Sequence, residues 1–228
     1  MADKEKIGIV GTGRMGQAMA RHLIKHGYAV LAQDIEPKAQ EAARGLGAET
    51  AKTPAEVGRA CKFVIIAVGY DDEATAVMLG PGGLLETMGA GSVIGVSSTC
   101  TPEHVRMLAE KARAKGVEVL DAPICRGQMA ADTGTMLILC GGKAEVFERG
   151  KPIYSTFGKD YVLLGDIGAG QVGKAMNNFL LWVNGIALIE AGRLSEANGM
   201  DLVKLREALL ISSGASDALK NWENVSFL

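Results

Sequence analysis

The sequence lacks the features of a small stapled protein, a metalloprotein or a polyelectrolyte binder. Its four cysteines, Cys61, Cys100, Cys125 and Cys140, form no CxxC pair and do not cluster with histidine. A chain of this length does not depend on a disulfide framework, so free thiols in a reducing compartment are expected. His22, His26 and His104 are scattered without ligand spacing, and no metal is expected. There is no dense Lys/Arg block, and the formal net charge is -2. Nucleic acid and the membrane surface are therefore poor partners. No apolar run is long enough to span a bilayer, and Met1 leads into ADKEK rather than into the apolar core of a signal peptide. A soluble, cytoplasmic protein is expected.

What is present is core-forming material: hydrophobic residues make up 48% of 228 positions and charged residues 22%, so disorder is not expected. Short apolar, β-branched runs at 7–10, 29–34, 63–68, 92–97, 117–124, 136–140 and 161–164 read as strands. Helical patterns, such as 15–26 closed by Gly27, separate the early ones. Continuous apolar strands alternating with helices predict an α/β fold: a Rossmann-type, doubly wound, mostly parallel sheet over residues 1–165. After Gly165 the texture changes. Residues 168–198 carry no proline and read as one helix of about 30 residues, roughly 45 Å long at about 1.5 Å per residue. A second helix over 201–210 follows, with Asp201 as its N-cap. Residues 166–228 thus read as a helical C-terminal domain. So long and apolar a helix needs partners, supplied either by further helical chain or by a second copy in a homo-oligomer.

The first strand runs into IGIVGTGRMG, which places Gly11, Gly13 and Gly16 in G-x-G-x-x-G spacing. With a strand entering and a helix leaving, this is the pattern of a dinucleotide-phosphate loop. Gly11 serves the tight turn, Gly13 the approach of a pyrophosphate, and Gly16 the helix–strand packing. The plainer reading is a structural βα turn. Asp34 ends the second strand, where a carboxylate accepts hydrogen bonds from ribose hydroxyls and repels a 2′-phosphate. NAD is therefore favoured over NADP, although Asp34 could instead simply cap the helix before Pro37. Further along, Lys174 and Asn178 are i and i+4 on the long helix. An ammonium beside a carboxamide can grip and protonate a carbonyl or alkoxide oxygen. Such a pair also occurs on solvated helix faces.

Four stretches in order resemble the β-hydroxyacid dehydrogenases, relatives of the 6-phosphogluconate dehydrogenases. They are GTGRMG (11–16), STCTP (98–102), DAPICRG (121–127) and GQVGKAMNN (170–178). That family includes 3-hydroxyisobutyrate dehydrogenases and tartronate semialdehyde reductases. The resemblance implies hydride transfer between a nicotinamide dinucleotide and a small anionic hydroxyacid or its semialdehyde. Lys174 would be the general acid/base, with Asn178 and Asn177 at the substrate. Thr12, Arg14 and Met15 would join the three glycines at the cofactor, with Val68 and Thr99 near the nicotinamide. Ser98 and the loop carrying Cys125, Arg126 and Gly127 would bind the substrate. The Asn177-Asn178 pair resembles the short-hydroxyacid branch more than the 6-phosphogluconate branch, whose motif has His-Asn. The presence of Lys174 distinguishes the chain from imine-reducing relatives.

Two departures stand out. The family usually reads DAPVSGG, so Cys125 and Arg126 replace a serine and a glycine. The family also continues through several more helices, with a further lysine near the cofactor. Arg126 is expected to bind the acidic group of the substrate, or a second anionic group such as a second carboxylate or a sulfonate. Some sulfolactaldehyde reductases of the family look similar here. Alternatively Arg126 faces solvent or pairs with Asp132. Cys125 is expected to fill space rather than to react. From a different class, a non-catalytic dinucleotide-binding or oligomerisation module fits the same fold.

Overall fold

The structure is a computed structural model and describes residues 4–222. Five parallel strands build the first half of the sheet: β1 (Ile7–Val10), β2 (Val30–Gln33), β3 (Glu49–Thr50), β4 (Phe63–Ile66) and β5 (Val93–Val96). Helices α1 (Arg14–Lys25), α2 (Pro37–Gly45), α3 (Pro54–Ala60), α4 (Asp71–Leu79) and α5 (Pro102–Arg113) connect them and lead on. Strands β1, β2, β4 and β5 are buried along their whole length and largely apolar on both faces, as a sheet covered twice requires, and the polar β3 sits at the edge. Ile7, Ile9, Phe63 and Ile65 enter one buried cluster, whereas Val10, Val64 and Ile66 enter the other. Residues one apart therefore supply opposite cores, and the sheet is doubly wound. Thr53 and Thr101 cap α3 and α5, each followed by proline at the first helical position.

The chain continues through β6 (Glu118–Asp121), β7 (Ile124–Cys125), α6 (Gly127–Thr133), β8 (Met136–Gly141), α7 (Ala144–Tyr154) and β9 (Gly158–Gly165). Strand β6 pairs in parallel with β5, whereas β6 and β7 both run antiparallel to β8, and β9 pairs in parallel with β8. The apolar run at 117–124 predicts one strand; the structure has two pieces of one, interrupted at Ala122-Pro123. Pro123 has no N–H to give the ladder, though its carbonyl still accepts from Leu139 at 3.1 Å. The two-residue strand β3 falls outside the predicted set, being too short for a pattern.

The chain divides into two compact units, residues 1–174 and 175–228. Helix α8 (Ala169–Ala197) contributes its first turns, through Lys174, to the first unit. There Gly170 lets the helix lie against the sheet, since a Cβ on it would stand 2.5 Å from the Leu139 carbonyl. In the second unit, α9 (Leu202–Leu210) has the expected cap: Asp201 accepts from the amides of Val203 and Lys204 at 2.8 and 3.2 Å. Arg206 lies over the Trp222 ring and donates to the Leu219 and Lys220 carbonyls near α10 (Asp217–Lys220). Phe179, Leu180, Ile186 and Leu194 on α8 are exposed. Among the described residues no helix is long and apolar enough to cross a membrane.

Candidate active site

The carboxyl ends of the parallel strands supply the first part of the site. Gly11 leaves β1 with φ of +91°, and a Cβ there would stand 2.5 Å from the Ala67 carbonyl. A Cβ on Gly16 would stand 2.0 Å from the Gly11 carbonyl, while one on Gly13 would meet nothing within 4 Å. Two glycines are thus required by the protein itself, and the third leaves open space where α1 begins. Gly13 is the N-cap of α1 and supplies no side-chain oxygen to its first N–H groups. This combination fits a diphosphate: backbone donors, a helix N-terminus and room for close approach. Gly16→Ala is expected to destabilise the fold by about 1–3 kcal/mol, an overpacking cost, whereas Gly13→Ala changes stability by less than about 1 kcal/mol. Urea titration reads both, and equal losses for the two would contradict this division of roles.

Thr12 is fully buried, and Asp34 receives hydrogen bonds from its amide and hydroxyl through Oδ2. Its Oδ1 accepts from the Glu36 amide at 2.9 Å. The N-cap of α2 is Glu36, so Asp34 ties the end of β2 to the glycine-rich loop rather than capping that helix. Arg14 and Met15 open α1, Arg14 exposed and Met15 half-buried.

The exits of β4 and β5 are joined by Ser98, whose buried hydroxyl accepts from the Val68 amide at 2.9 Å. Thr99 is exposed between buried Ser98 and Cys100. The exit of β6 is held by Asp121, which is fully buried. Its Oδ2 accepts from the amides of Gly168 and Gln171, both at 3.1 Å, at the start of α8. Burial pushes its carboxyl up to about 6, partly offset by those N–H donors. Gln171, equally buried, donates to the Ser98 carbonyl and accepts from the Cys100 amide, both at 3.0 Å.

Half-buried Lys174 lies one turn beyond Gly170, beside the buried thiol of Cys125. Burial raises that thiol's pKa; the Lys174 ammonium, chiefly, and Arg126 pull against it. A thiol so placed is a packing group, as expected. Arg126 is the one non-glycine among the described residues at positive φ, +80°. Gly127 follows at +68° with no atom near its missing Cβ. Asp132 is not the partner of Arg126, because it pairs with Arg21 at 2.9 Å. Instead Nη1 of Arg126 meets Asp160 Oδ2 at 2.6 Å and the Thr135 carbonyl at 3.1 Å. The reason is register: Cys125 pairs with Leu137, and Leu137 with Asp160, so the guanidinium reaches across β8 to β9. In the second unit, Asn177 donates to the Asn178 carboxamide oxygen at 3.2 Å.

The first unit therefore gathers the glycine-rich loop, Asp34, Val68, Ser98, Thr99, Cys125 and Lys174 around the ends of β1, β2, β4, β5, β6 and β7. Sequence reading alone does not single out Asp121, Gln171 or Asp160. Asp121 and Gln171 lie inside recognisable motifs, but their roles appear only once the strand ends meet α8. Among the described residues no group of three or more His, Cys, Asp or Glu is placed to hold a metal.

Residues 6–165 match the family described as the NAD binding domain of 6-phosphogluconate dehydrogenase. The chain is 36% identical over 213 residues to 3-hydroxyisobutyrate dehydrogenase of Pseudomonas aeruginosa, covering 93% of this chain and 72% of that protein. The chain belongs to the β-hydroxyacid dehydrogenase family. A second relative in the family, 2-(hydroxymethyl)glutarate dehydrogenase of Eubacterium barkeri, is 35% identical, with 94% of this chain and 71% of that protein aligned. The fold of this β-hydroxyacid dehydrogenase family member is also that of a Mycobacterium tuberculosis 3-hydroxyisobutyrate dehydrogenase solved with L-serine. There the TM-score is 0.87 at 24% identity, over 95% of this chain and 73% of that one. These relatives are dehydrogenases, and the matched domain makes a nicotinamide dinucleotide the cofactor class.

Proposed function

We propose that the protein is an NAD-dependent dehydrogenase or reductase of a small β-hydroxyacid and its semialdehyde, with Lys174 as general acid/base. The observation that carries this reading is the seat of Lys174 beside Cys125, on a helix start fastened to the ends of β5 and β6. Bound nicotinamide dinucleotide supplies or accepts the hydride. Gly11, Thr12, Gly13, Arg14, Met15 and Gly16 hold its diphosphate, Asp34 its ribose, and Val68 with Thr99 line the nicotinamide end. Lys174 gives a proton to the carbonyl oxygen during reduction and removes it from the hydroxyl during oxidation. Asn178, one helical turn on, orients that oxygen, with Asn177 beside it.

The substrate's acidic group is bound around Ser98, Cys125 and Gly127. The Ser98 amide is taken by the Ile66 carbonyl, so the share of Ser98 comes from its hydroxyl, which accepts from Val68 and keeps its own proton to donate. The preference for NAD rests on Asp34, whose carboxylate would meet a 2′-phosphate with like charge. Residues 1–165 form the cofactor domain and 166–228 the helical domain. The exposed apolar residues of α8 support a homo-oligomer formed through that helix.

Arg126 selects a second anionic group, a carboxylate or a sulfonate. Both its contacts run through Nη1, which leaves the Nε–Nη2 edge for bidentate binding. The relative that acts on 2-(hydroxymethyl)glutarate, whose name denotes a dicarboxylate, supports that class. Arg126→Gly suits the left-handed backbone at this position. It is expected to lower kcat/KM about 10- to 100-fold on dicarboxylate or sulfonate substrates, the worth of a charge-assisted contact, and to leave 3-hydroxyisobutyrate unaffected. Unchanged kcat/KM on every anion would remove the selector role.

A further inference from the structure

The side chain of Gln171 is almost completely buried where the two halves of the proposed chemistry meet. Its carboxamide behaves like one peptide unit of a neighbouring strand. Nε2 donates to the carbonyl before Thr99, and Oε1 accepts from the amide after it, each at 3.0 Å. In an extended chain those two groups point to one side, so the amide splints residues 98–100 and leaves Thr99 exposed. The same residue's backbone amide is fastened to Asp121. Lys174 lies three positions further along α8, an i, i+3 neighbour about 4.5 Å along the axis. One buried residue thus links the exit of β5, through its carboxamide, and the exit of β6, through its backbone amide, to the helix that carries Lys174.

We propose that Gln171 is a positioning residue that fixes the Thr99 edge, where the nicotinamide is expected, relative to Lys174, so that hydride and proton reach one carbonyl in register. The proposal rests on the reading of Lys174 and Thr99 given above. Errors of about 1 Å in such registers cost around 100-fold in rate. A buried amide is also costly to leave half-paired, so the splint has no partly broken state of comparable stability.

Three variants test it, assayed by NAD reduction with 3-hydroxyisobutyrate, L-serine and 2-(hydroxymethyl)glutarate. Gln171→Met keeps the shape and removes both hydrogen bonds. Its kcat is expected to fall 10- to 100-fold while KM for NAD stays within about 3-fold. Gln171→Glu keeps the acceptor and regains the donor only when protonated, so its kcat should recover toward wild type as pH is lowered. Exchange of the Cys100 amide, followed without cofactor, should quicken at least 10-fold in Gln171→Met and slow again in Gln171→Glu at low pH.

A wild-type kcat in both Gln171 variants, with Lys174→Ala inactive, would overturn the splint and leave the catalytic reading standing. Full activity of Lys174→Ala would overturn both. Should Gln171→Met fail to fold, the pH profile of Gln171→Glu decides: a profile parallel to wild type refutes the proposal, and selective recovery at low pH supports it.

Discussion

Lys174→Ala is expected to lower kcat by about 100- to 10,000-fold, the usual worth of a positioned general acid or base, with little change in NAD affinity. The groups proposed to face the cofactor, from Gly11 to Gly16 and Asp34, sit at the ends of β1 and β2 and make no contact through the lysine. The first turn of α8 is held by Asp121 and Gln171 rather than by the lysine side chain. The variant should therefore fold and bind NADH with the wild-type fluorescence response while failing to turn over. Loss of the ammonium also removes the largest opposite charge near Cys125. The thiol of the variant should consequently react more slowly with a small alkylating agent at fixed pH, because less of it is thiolate. Retention of wild-type kcat would assign the proton to another group.

The second large effect concerns stability and pH. Asp121 is fully buried and its carboxyl is raised from 3.8 to about 6. Between those pH values the folded chain keeps a proton that the unfolded chain has lost. The carboxyl's contribution to stability is therefore fully present below pH 3.8 and is lost as pH rises through 6. The difference amounts to roughly 3 kcal/mol. Asp121→Asn keeps an oxygen for the amides of Gly168 and Gln171 and cannot ionise. Urea titrations should show the wild-type minus variant stability difference falling by about 2 kcal/mol from pH 4 to pH 7, most of that total. Subtraction removes opposing terms such as Asp132, whose carboxyl is lowered by its hydrogen bond from Arg21. Parallel stability curves would mean that the carboxyl is not protonated in the folded chain near pH 5.

The parts of this architecture legible in the sequence are those set by local pattern. Strands such as IGIV and FVII are apolar on both faces, so their burial and parallel pairing follow from composition alone. The 29-residue helix and the Asp201 cap are equally local. Pro123 is visible in the sequence, but its breaking of one strand into two depends on which neighbour needs its missing N–H. The partner of Arg126 was less accessible still. Asp160 lies 34 positions away and becomes a neighbour only through two successive registers, Cys125 with Leu137 and Leu137 with Asp160. Ser98 shows the same limit in another form. The resemblance gives it a place at the substrate, whereas only the fold shows that its hydroxyl also accepts from the Val68 amide and so joins the exits of two strands. Side chains that join strand ends to one another are invisible until those ends are brought together.

The most direct measurement is the change in reduced-nicotinamide absorbance when the protein is mixed with NAD and a panel of hydroxyacids. The panel comprises 3-hydroxyisobutyrate, L-serine, 2-(hydroxymethyl)glutarate and a sulfonated analogue, with NADP and Lys174→Ala run alongside. Turnover of at least one hydroxyacid is predicted, faster with NAD than with NADP and lost in Lys174→Ala. Saturable NADH binding with no turnover of any of them would contradict the account and identify the chain as a non-catalytic dinucleotide-binding module of the same fold.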